Sequence, residues 1–487
     1  MTRFPSPRRV RGSIIAALAA AATFSLMVPA AAYAEPVATI EQLSTFSPPS
    51  GFSSGGSAAV AYNPDSGVTL AAWAGTTPDR SVSAPVQISV IGLDGAPGAT
   101  ATYQPDNELL AGAGSNEPIS VDPGANGGFL LTWNDGDSDN AVYGILAGSD
   151  GAFIGEAFTV SSNNDYRDTE TVSAAWSPAA ARYLVSWKTN VSTAFPAAVA
   201  GQQLVGRFID ETGAGIGDDF LVTDIPEQIN DSQDVAFGGA SWVVVGVDNS
   251  NHVLRAITVA ADGTVGAPIE IPTPSNIGAT GPSIAFNPEL DQFLISAKDN
   301  NGDIWGQLLH ADGSASGTSF MIVTGAQGKP SIASTGVNGW FLAWHVQGAV
   351  DVFGIALDSD AAVLGMPEVI SSGAADRDVE QNFRPNVTFS GVTGQAYVIW
   401  SRLIQADSAT NVVLRAWHIA DGVPLVSDTP VVEPVEPVEP VVVPAVIADP
   451  ELAATGVNAL SLMGLTAASV LALLAGLLLV VRRRLTA

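Results

Sequence analysis

The chain has 487 residues and contains no cysteine. This absence excludes disulfide bonds, zinc sites built from thiolates and a cysteine nucleophile. The stability of the folded protein must therefore come from packing and hydrogen bonding alone.

Basic residues are also scarce, because 19 lysines and arginines stand against 48 aspartates and glutamates. Seven of the basic residues lie in residues 1–34 and 482–487, whereas every acidic residue lies within residues 35–451. Residues 35–451 therefore carry a formal charge of −36. Nucleic acids and anionic lipids attract cationic surfaces, so this charge argues against both as partners.

The N-terminus has the three parts of a secretory signal peptide. An apolar stretch, residues 14–32, ends in Ala32-Tyr33-Ala34 and follows four arginines: Arg3, Arg8, Arg9 and Arg11. Signal peptidase accepts small residues at the −3 and −1 positions, here Ala32 and Ala34. We therefore predict a signal peptide over residues 1–34, with an uncleaved membrane anchor as the alternative.

The C-terminus contains an uncharged apolar run of 25 residues, 457–481, followed by Arg482, Arg483 and Arg484. About 20 apolar residues suffice for a helix to cross a bilayer. The arginines predict that residues 482–487 lie in the cytoplasm, since short cationic flanks stay inside. Everything before the predicted transmembrane helix is then outside the cell.

The pentad before this run is Leu452-Ala453-Ala454-Thr455-Gly456. With the apolar run and the basic tail, it resembles the sorting signal of sortase-anchored surface proteins of Gram-positive bacteria. That family has proline where this chain has Ala453, and the alanine variant is associated with high-GC actinobacteria. The resemblance implies that a sortase recognises Leu452 and Thr455 and cleaves between Thr455 and Gly456. It also implies covalent transfer to peptidoglycan, with membrane insertion only as an intermediate. The alternative is an ordinary single-pass protein.

Between these ends the chain repeats a short β-rich run that closes on tryptophan. Five runs end in this way, at Trp73, Trp133, Trp187, Trp344 and Trp400, and residues 242–246 and 293–297 continue the series without the terminal tryptophan. Each run lies between further short strands and is followed by a turn that is mostly Asp-Gly, as in Asp94-Gly95 and Asp150-Gly151. These dipeptides suit tight hairpins because glycine tolerates a positive φ.

This pattern predicts an all-β fold: a seven-bladed β-propeller of four-stranded antiparallel blades over residues 35–428. A ring of sheets leaves no blade with an uncovered face. Residues 39–43 are a candidate strand to complete the last blade. The alternative architecture is a pair of stacked β-sandwiches. The tryptophans are predicted to pack between blades, and Trp305 and Trp417 are predicted to be core.

Candidate chemistry in the predicted ring is limited. Asp135, Asp137 and Asp139 alternate in a loop, where their carboxylates could bind structural Ca²⁺, but the glycine and glutamate of an EF-hand loop are missing. A solvated acidic turn is the alternative. The four histidines form no metal-binding pattern, and the motifs of metalloproteases, α/β-hydrolases and nucleotide-binding proteins are absent. We therefore name no catalytic residue and no cofactor. Two carboxylates from different blades could still meet in the channel without a sequence signature.

Residues 429–451 repeat Val-Glu-Pro three times, which favours an extended polyproline II stalk over a plain disordered linker. The sequence thus predicts an exported, wall-anchored surface protein whose propeller binds an extracellular glycan or protein. An extracellular polysaccharide hydrolase or lyase and a passive coat protein are the alternatives.

Overall fold

The structure is a computed structural model, and most of it consists of strands. The residues it describes are 40–46, 53–76, 85–104, 119–134, 141–162, 166–191, 194–195, 198, 201–223, 229–248, 253–271, 281–326, 328–346, 351–371, 380–404 and 409–418. The predicted signal peptide, stalk, sorting pentad and transmembrane run lie outside these residues. Within them, no helix has the length and apolarity needed to cross a membrane.

The described strands form seven four-stranded sheets, which we call blades. Blade 1 contains β2 (Ser53–Asn63), β3 (Val68–Thr76), β4 (Val86–Ile91) and β5 (Pro97–Tyr103). Blade 2 contains β6 (Ser120–Pro123), β7 (Phe129–Asn134), β8 (Val142–Ala147) and β9 (Phe153–Thr159), with one 3₁₀ turn at Ala125–Gly127. Blade 3 contains β10 (Arg167–Ser177), β11 (Arg182–Asn190), β12 (Gln202–Asp210) and β13 (Gly215–Leu221).

The other four blades follow the same order. Blade 4 contains β14 (Ile229–Gly238), β15 (Ser241–Asp248), β16 (Val253–Ala260) and β17 (Ile269–Ile271). Blade 5 contains β18 (Ser283–Asn287), β19 (Gln292–Lys298), β20 (Ile304–His310) and β21 (Ala315–Val323). Blade 6 contains β22 (Pro330–Ser334), β23 (Trp340–His345), β24 (Val352–Leu357) and β25 (Val363–Val369). Blade 7 contains β26 (Glu380–Ser390), β27 (Gln395–Ile404), β28 (Ala409–His418) and β1 (Ile40–Phe46). The predicted all-β class and four-stranded antiparallel blades are confirmed.

The first strands of the blades contact one another in a closed cycle. Each first strand contacts the first strand of the next blade, and the cycle returns from β26 to β2. The chain also closes the ring, because β1 pairs antiparallel with β28, with Ile40 opposite Trp417. The predicted N-terminal strand of the last blade is thus confirmed. All strands of this ring belong to one compact unit that ends at Pro430.

The hydrophobic core lies between the blades. Trp133 of blade 2 belongs to a buried cluster with Leu70 of blade 1, and Trp73 belongs to one with Tyr397 of blade 7. All five strand-ending tryptophans are at most 2% exposed, as are Trp242 and Trp340. Their predicted packing between blades is therefore confirmed. Trp305 departs from the prediction, because it is only partly buried and its Nε1 donates to Asp299 at 3.2 Å. The side chain of Trp417 lies outside the described part.

The turn between the third and fourth strands recurs with one conformation. Its glycines have positive φ angles, such as 76° at Gly95 and Gly151 and 80° at Gly313. In blade 6 the turn contains no glycine, and the residue with positive φ is Ala361, at 58°. Asp358 accepts hydrogen bonds there from the backbone N–H groups of Asp360 and Ala362. Asp210 accepts in the same way from Thr212 and Ala214 in blade 3, so the aspartate acceptor belongs to this turn with or without glycine.

Candidate functional site

The central cavity of the ring has a volume of about 1530 Å³, and the first strand of every blade lines it. Strand register identifies equivalent residues in the seven blades. One set, which we call the linking layer, consists of first-strand residues. Each pairs with the second-strand residue that directly precedes the strand-ending tryptophan, or the residue at the same place in blades 4 and 5. Its members are Ala59, Ser120, Ser173, Asp234, Ser283, Ser331 and Asn386.

Side chains of the linking layer join neighbouring blades. Asn386 Oδ1 accepts from the backbone N–H of Val60 at 2.9 Å, and Ser331 Oγ accepts from that of Val387 at 3.2 Å. The Ser283 hydroxyl accepts in the same way from the next blade, and so does the Asp234 carboxylate. Each sheet is separate in its backbone pairing, so these side chains satisfy inner-strand donors that the sheets leave unpaired. Their short polar type is thus explained by ring assembly.

Two carboxyl groups on the first strands line the cavity. Asp234 belongs to the linking layer of blade 4, and Asp122 lies two residues beyond that layer in blade 2. Ser120 Oγ donates to Asp122 at 2.7 Å, and Ser173 Oγ donates to Asp234 at the same distance. Both carboxyl groups are partly exposed, because they line the cavity although they lie deep inside the ring.

Asp122 and Asp234 differ from surface carboxylates in their pKa values, because they lie deep inside the ring. Burial raises the pKa of Asp122 to about 8; the hydrogen bond from Ser120 opposes the rise, and repulsion by Asp234 adds to it. Burial also raises the pKa of Asp234, against hydrogen bonds from Ile284, Ser173 and Val235. At neutral pH the Asp122 carboxyl is therefore mostly protonated, and the cavity wall holds an acid able to donate a proton.

A second set of equivalent residues, three positions after the linking layer, is mainly aromatic. This aromatic layer consists of Tyr62, Trp176, Phe237, Phe286 and Phe389, with Pro123 and Ser334 in the other two blades, and all seven residues line the cavity. Three of the five rings rest on aromatic residues of the second strands, with ring centroids 4.7 Å apart for Trp176 and Tyr183 and 4.8 Å apart for Phe286 and Phe293. All except Phe389 remain partly exposed.

The cavity mouth beyond the aromatic layer exposes more apolar surface. Leu93 is 71% exposed and Val392 is 46% exposed, and both line the cavity. Tyr62 lies at this mouth, where burial raises the pKa of its hydroxyl. A ligand entering here would meet apolar rings first and the two carboxyl groups next.

The residues predicted from sequence motifs lie elsewhere or outside the described part. Asp135, Asp137 and Asp139 are not described, and neither are Ala32, Ala34, Leu452, Thr455 and Gly456. In the described ranges no group of three or more His, Asp or Glu residues could hold a metal ion. His310 is exposed at the end of β20, and His345 is partly buried at the end of β23.

No sequence motif pointed to Asp122, Asp234 or the aromatic layer. When the repeats are aligned on their second strands, the linking-layer position holds a short polar residue in six blades, and the position three residues later holds an aromatic residue in five. This recurrence could have identified both layers. Reading it required the strand register, since the spacing between the first and second strands differs among the blades.

Comparison with known proteins gives similarity of fold. No protein-family model matches the chain, and no curated protein sequence matches it. The lectin BP39L from Burkholderia pseudomallei overlaps 73% of this chain and 97% of its own, with a TM-score of 0.52 and 13% identity. AofleA from Arthrobotrys oligospora overlaps 69% and 90% with a TM-score of 0.43 and 10% identity. An α-L-arabinanase from Penicillium chrysogenum, complexed with arabinobiose, overlaps 77% and 98% with a TM-score of 0.44 and 12% identity. Together with the sheet topology, the likeness to BP39L shows that this chain has a β-propeller fold.

Proposed function

We propose that this protein is exported, anchored to the cell wall and binds a glycan in the central cavity of its propeller. Export is supported by the signal-peptide pattern of residues 1–34, and anchoring by the sorting pentad that contains Thr455. The high negative charge of residues 35–451 agrees with a role in which neither nucleic acid nor anionic lipid is the ligand. A protein ligand at the same cavity is the alternative for the binding function.

The glycan proposal depends on one observation: aromatic rings and two carboxyl groups line the same cavity. Sugars present an apolar face of C–H groups and a rim of hydroxyls. Partly exposed rings such as Trp176 and Phe286 suit the apolar face, and Asp122 and Asp234 suit the hydroxyls. BP39L, which shares the fold, is itself a lectin.

A glycan array probed with residues 35–428 tests this proposal. This fragment contains every strand of the closed ring, including β1 and β28. Trp176→Ala removes a cavity-lining ring and should weaken binding to any positive glycan by roughly 10-fold or more, since truncating a central aromatic contact commonly costs over 1 kcal/mol. Trp305→Ala is the matched control, because Trp305 is equally partly buried but lies outside the cavity lining. Equal losses in both variants, or an array without any positive glycan, would contradict the proposal.

A polysaccharide hydrolase is the second candidate, and the raised pKa of Asp122 favours it. Acid-assisted cleavage of glycosidic bonds uses a protonated carboxyl together with a second carboxyl group. In this function Asp122 would donate a proton to the leaving oxygen and Asp234 would act as base or nucleophile. Release of reducing ends from a polysaccharide panel, abolished by Asp122→Asn, would establish it. Binding without turnover would support the lectin-like function. Absence of both binding and turnover would support a passive coat protein.

A further inference from the structure

We propose that the cavity selects an N-acetylated sugar, whose acetamido oxygen accepts hydrogen bonds from backbone N–H groups at the level of the aromatic layer. This inference rests on the proposed glycan-binding function and narrows its ligand. The first strand of each blade is the innermost strand of its sheet and lines the cavity. One backbone edge of each first strand therefore has no neighbouring strand in its own sheet to pair with.

The hydrogen bonds of the linking layer show which way the N–H groups of this edge point. In blades 1, 5, 6 and 7 the residue after the linking layer donates its N–H to a side chain of the preceding blade; these donors are Val60, Ile284, Ile332 and Val387. Their N–H groups thus point away from the second strand and toward the inside of the ring. The same direction recurs at every second residue of a strand, so the N–H groups of the aromatic layer two residues later also point inward.

Blade 1 shows what such an N–H group meets when the protein supplies an acceptor. Thr388 of blade 7 lies two residues after the linking layer, and its Oγ1 accepts from the N–H of Tyr62 at 3.1 Å. Blades 3 to 6 have an alanine at the place of Thr388, and an alanine side chain cannot accept. These alanines are Ala175, Ala236, Ala285 and Ala333.

The N–H groups that face these alanines belong to the aromatic layer of blades 4 to 7. We call them the donor arc, and its members are the N–H groups of Phe237, Phe286, Ser334 and Phe389. No described residue accepts a hydrogen bond from any of the four. All four residues line the cavity, and the first strands of these consecutive blades contact one another. A ligand oxygen in the cavity can therefore reach donors that the small alanine side chains leave uncovered.

The charges around the donor arc favour a neutral acceptor over an anion. Residues 35–451 carry a formal charge of −36, and Asp234 lies three residues before Phe237 on the same strand. Among the described residues that line the cavity, the cationic side chain is that of Lys329. Lys329 precedes Ser334 by five residues, which is about 16 Å along a strand, toward the other mouth. A carboxylate, sulfate or phosphate group would thus approach the arc against repulsion.

An acetamido group matches the donor arc and the aromatic layer together. Its carbonyl oxygen is a neutral acceptor, and its N–H group is a donor. Carbonyl oxygens for that donor face the cavity as well, because the N–H and C=O groups of one strand residue point to the same side. Its methyl group is apolar and suits the rings of Phe237 and Phe286, which remain partly exposed beside the donors. A hydroxyl or an ammonium group in the same place lacks both the carbonyl and the methyl.

Isothermal titration calorimetry with residues 35–428, which contain the whole ring, tests this selection. The probes are three β-1,4-linked trisaccharides, built from N-acetylglucosamine, from glucosamine and from glucose. They differ in one substituent, which is an acetamido, an ammonium or a hydroxyl group. We expect the N-acetylated trisaccharide to bind at least about 10-fold more tightly than the other two, which corresponds to about one net hydrogen bond.

A double substitution, Ala236→Thr with Ala285→Thr, tests the donor arc itself. It gives Phe286 and Ser334 the hydroxyl acceptor that Thr388 gives to Tyr62. Both alanines are partly exposed, as Thr388 is, so the larger side chains have room. Affinity for the N-acetylated trisaccharide should fall by roughly 10-fold.

Ala101→Thr is the matched control for this double substitution. Ala101 is also partly buried, but it lies on the outer strand β5 and does not line the cavity. The control should leave the affinity for all three trisaccharides unchanged. If the double variant does not fold, the comparison of the three trisaccharides on the unsubstituted protein still decides the selection.

The outcomes distinguish this inference from the function on which it rests. Equal affinity for the three trisaccharides, or an array whose positive glycans all lack an N-acetyl group, would overturn the selection while glycan binding stands. Unchanged affinity in the folded double variant would overturn the role of the donor arc. Tighter binding of an extended valine-rich peptide, whose carbonyl oxygens could also accept from the arc, would overturn the choice of a sugar. An array without any positive glycan would remove the proposed function and the inference together.

Discussion

Asp122 and Asp234 show how the same residue type acquires different behaviour from its neighbours. Asp234 accepts from the backbone of Ile284 and Val235 and from Ser173, which stabilises its ionised form. Asp122 accepts from Ser120 and feels the repulsion of Asp234. Surface aspartates such as Asp312 have a lowered pKa instead, because Ser314 donates to the carboxylate through its hydroxyl and its N–H. Burial therefore raises the pKa of both deep carboxyl groups, whereas hydrogen bonds lower the pKa of the surface carboxylate.

The raised pKa of Asp122 gives a stability prediction with a definite sign. The folded chain keeps the proton up to about pH 8, whereas the unfolded chain releases it near pH 4. Stability should therefore fall as the pH rises through this window, by at most about 1.4 kcal/mol per pH unit from this group, and by less because the carboxyl touches cavity water. Asp122→Asn should flatten the slope of the melting temperature between pH 5 and 8, and Asp218→Asn should not. Parallel slopes for the wild type and Asp122→Asn would contradict the shift.

At the level of strands, a glycine opposite a phenylalanine shapes the outer half of several blades. Three blades pair a third-strand glycine with a fourth-strand phenylalanine: Gly144 with Phe158, Gly206 with Phe220 and Gly306 with Phe320. The ring lies over the glycine, so a Cβ at Gly306 would be 2.6 Å from Phe320 and one at Gly206 would be 3.1 Å from Phe220. Blade 6 differs, because Gly354 pairs with Glu368.

These distances predict a graded cost of alanine substitution. Gly306→Ala should lower the free energy of unfolding by about 1–3 kcal/mol, because the phenyl ring must shift in a packed site. Gly206→Ala should cost less, since its contacts are longer. Gly391→Ala is the control, with 3.7 Å to Tyr62, and should stay within about 0.5 kcal/mol. Chemical denaturation measures all three, and a larger cost at Gly206 than at Gly306 would be inconsistent with this account.

At the scale of the whole molecule, the N-terminal strand holds the ring closed. β1 forms the outer edge of blade 7 by pairing with β28, so strands from the two ends of the described chain meet in one sheet. The first strands contact one another around the full cycle. Without β1, blade 7 would have three strands and β28 would become an exposed edge.

Removal of residues 35–46 should therefore destabilise the ring. We expect the melting temperature to fall by roughly 5–10 °C, which corresponds to a loss of a few kcal/mol. Self-association that rises with concentration should accompany it, because the free edge of β28 can pair with another chain. Removal of residues 35–39 alone is the matched control and should change neither property. A truncated ring that is as stable and monomeric as the control would rule out this role of β1.

Anchoring is the second prediction at this scale, and it follows from the proposed sorting signal. Thr455→Ala should abolish covalent attachment to the wall, because the resemblance makes Thr455 a residue that the sortase recognises. Fractionation should then move the protein from the wall to the membrane fraction. Thr429→Ala, in the predicted stalk, is the control and should leave the wall fraction unchanged. Wall attachment that survives Thr455→Ala would exclude a sortase acting at this pentad.

The sequence by itself determined the repeating β-strands, the turns and the burial of the strand-ending tryptophans. These features are local: alternation, Asp-Gly dipeptides and one tryptophan for most repeats are visible without knowing which strands meet. It also suggested the strand at residues 39–43, because a ring needs its last blade completed.

Only the tertiary structure decided what faces the cavity. Asp122 and Asp234 lie in different blades, more than 100 residues apart in the chain, and no spacing rule relates them. The raised pKa of each depends on burial produced by the closed ring, a property that neither strand has alone. The aromatic layer likewise becomes a surface only when seven first strands surround one space, because a side chain can be assigned to that space only once its register with the second strand is known.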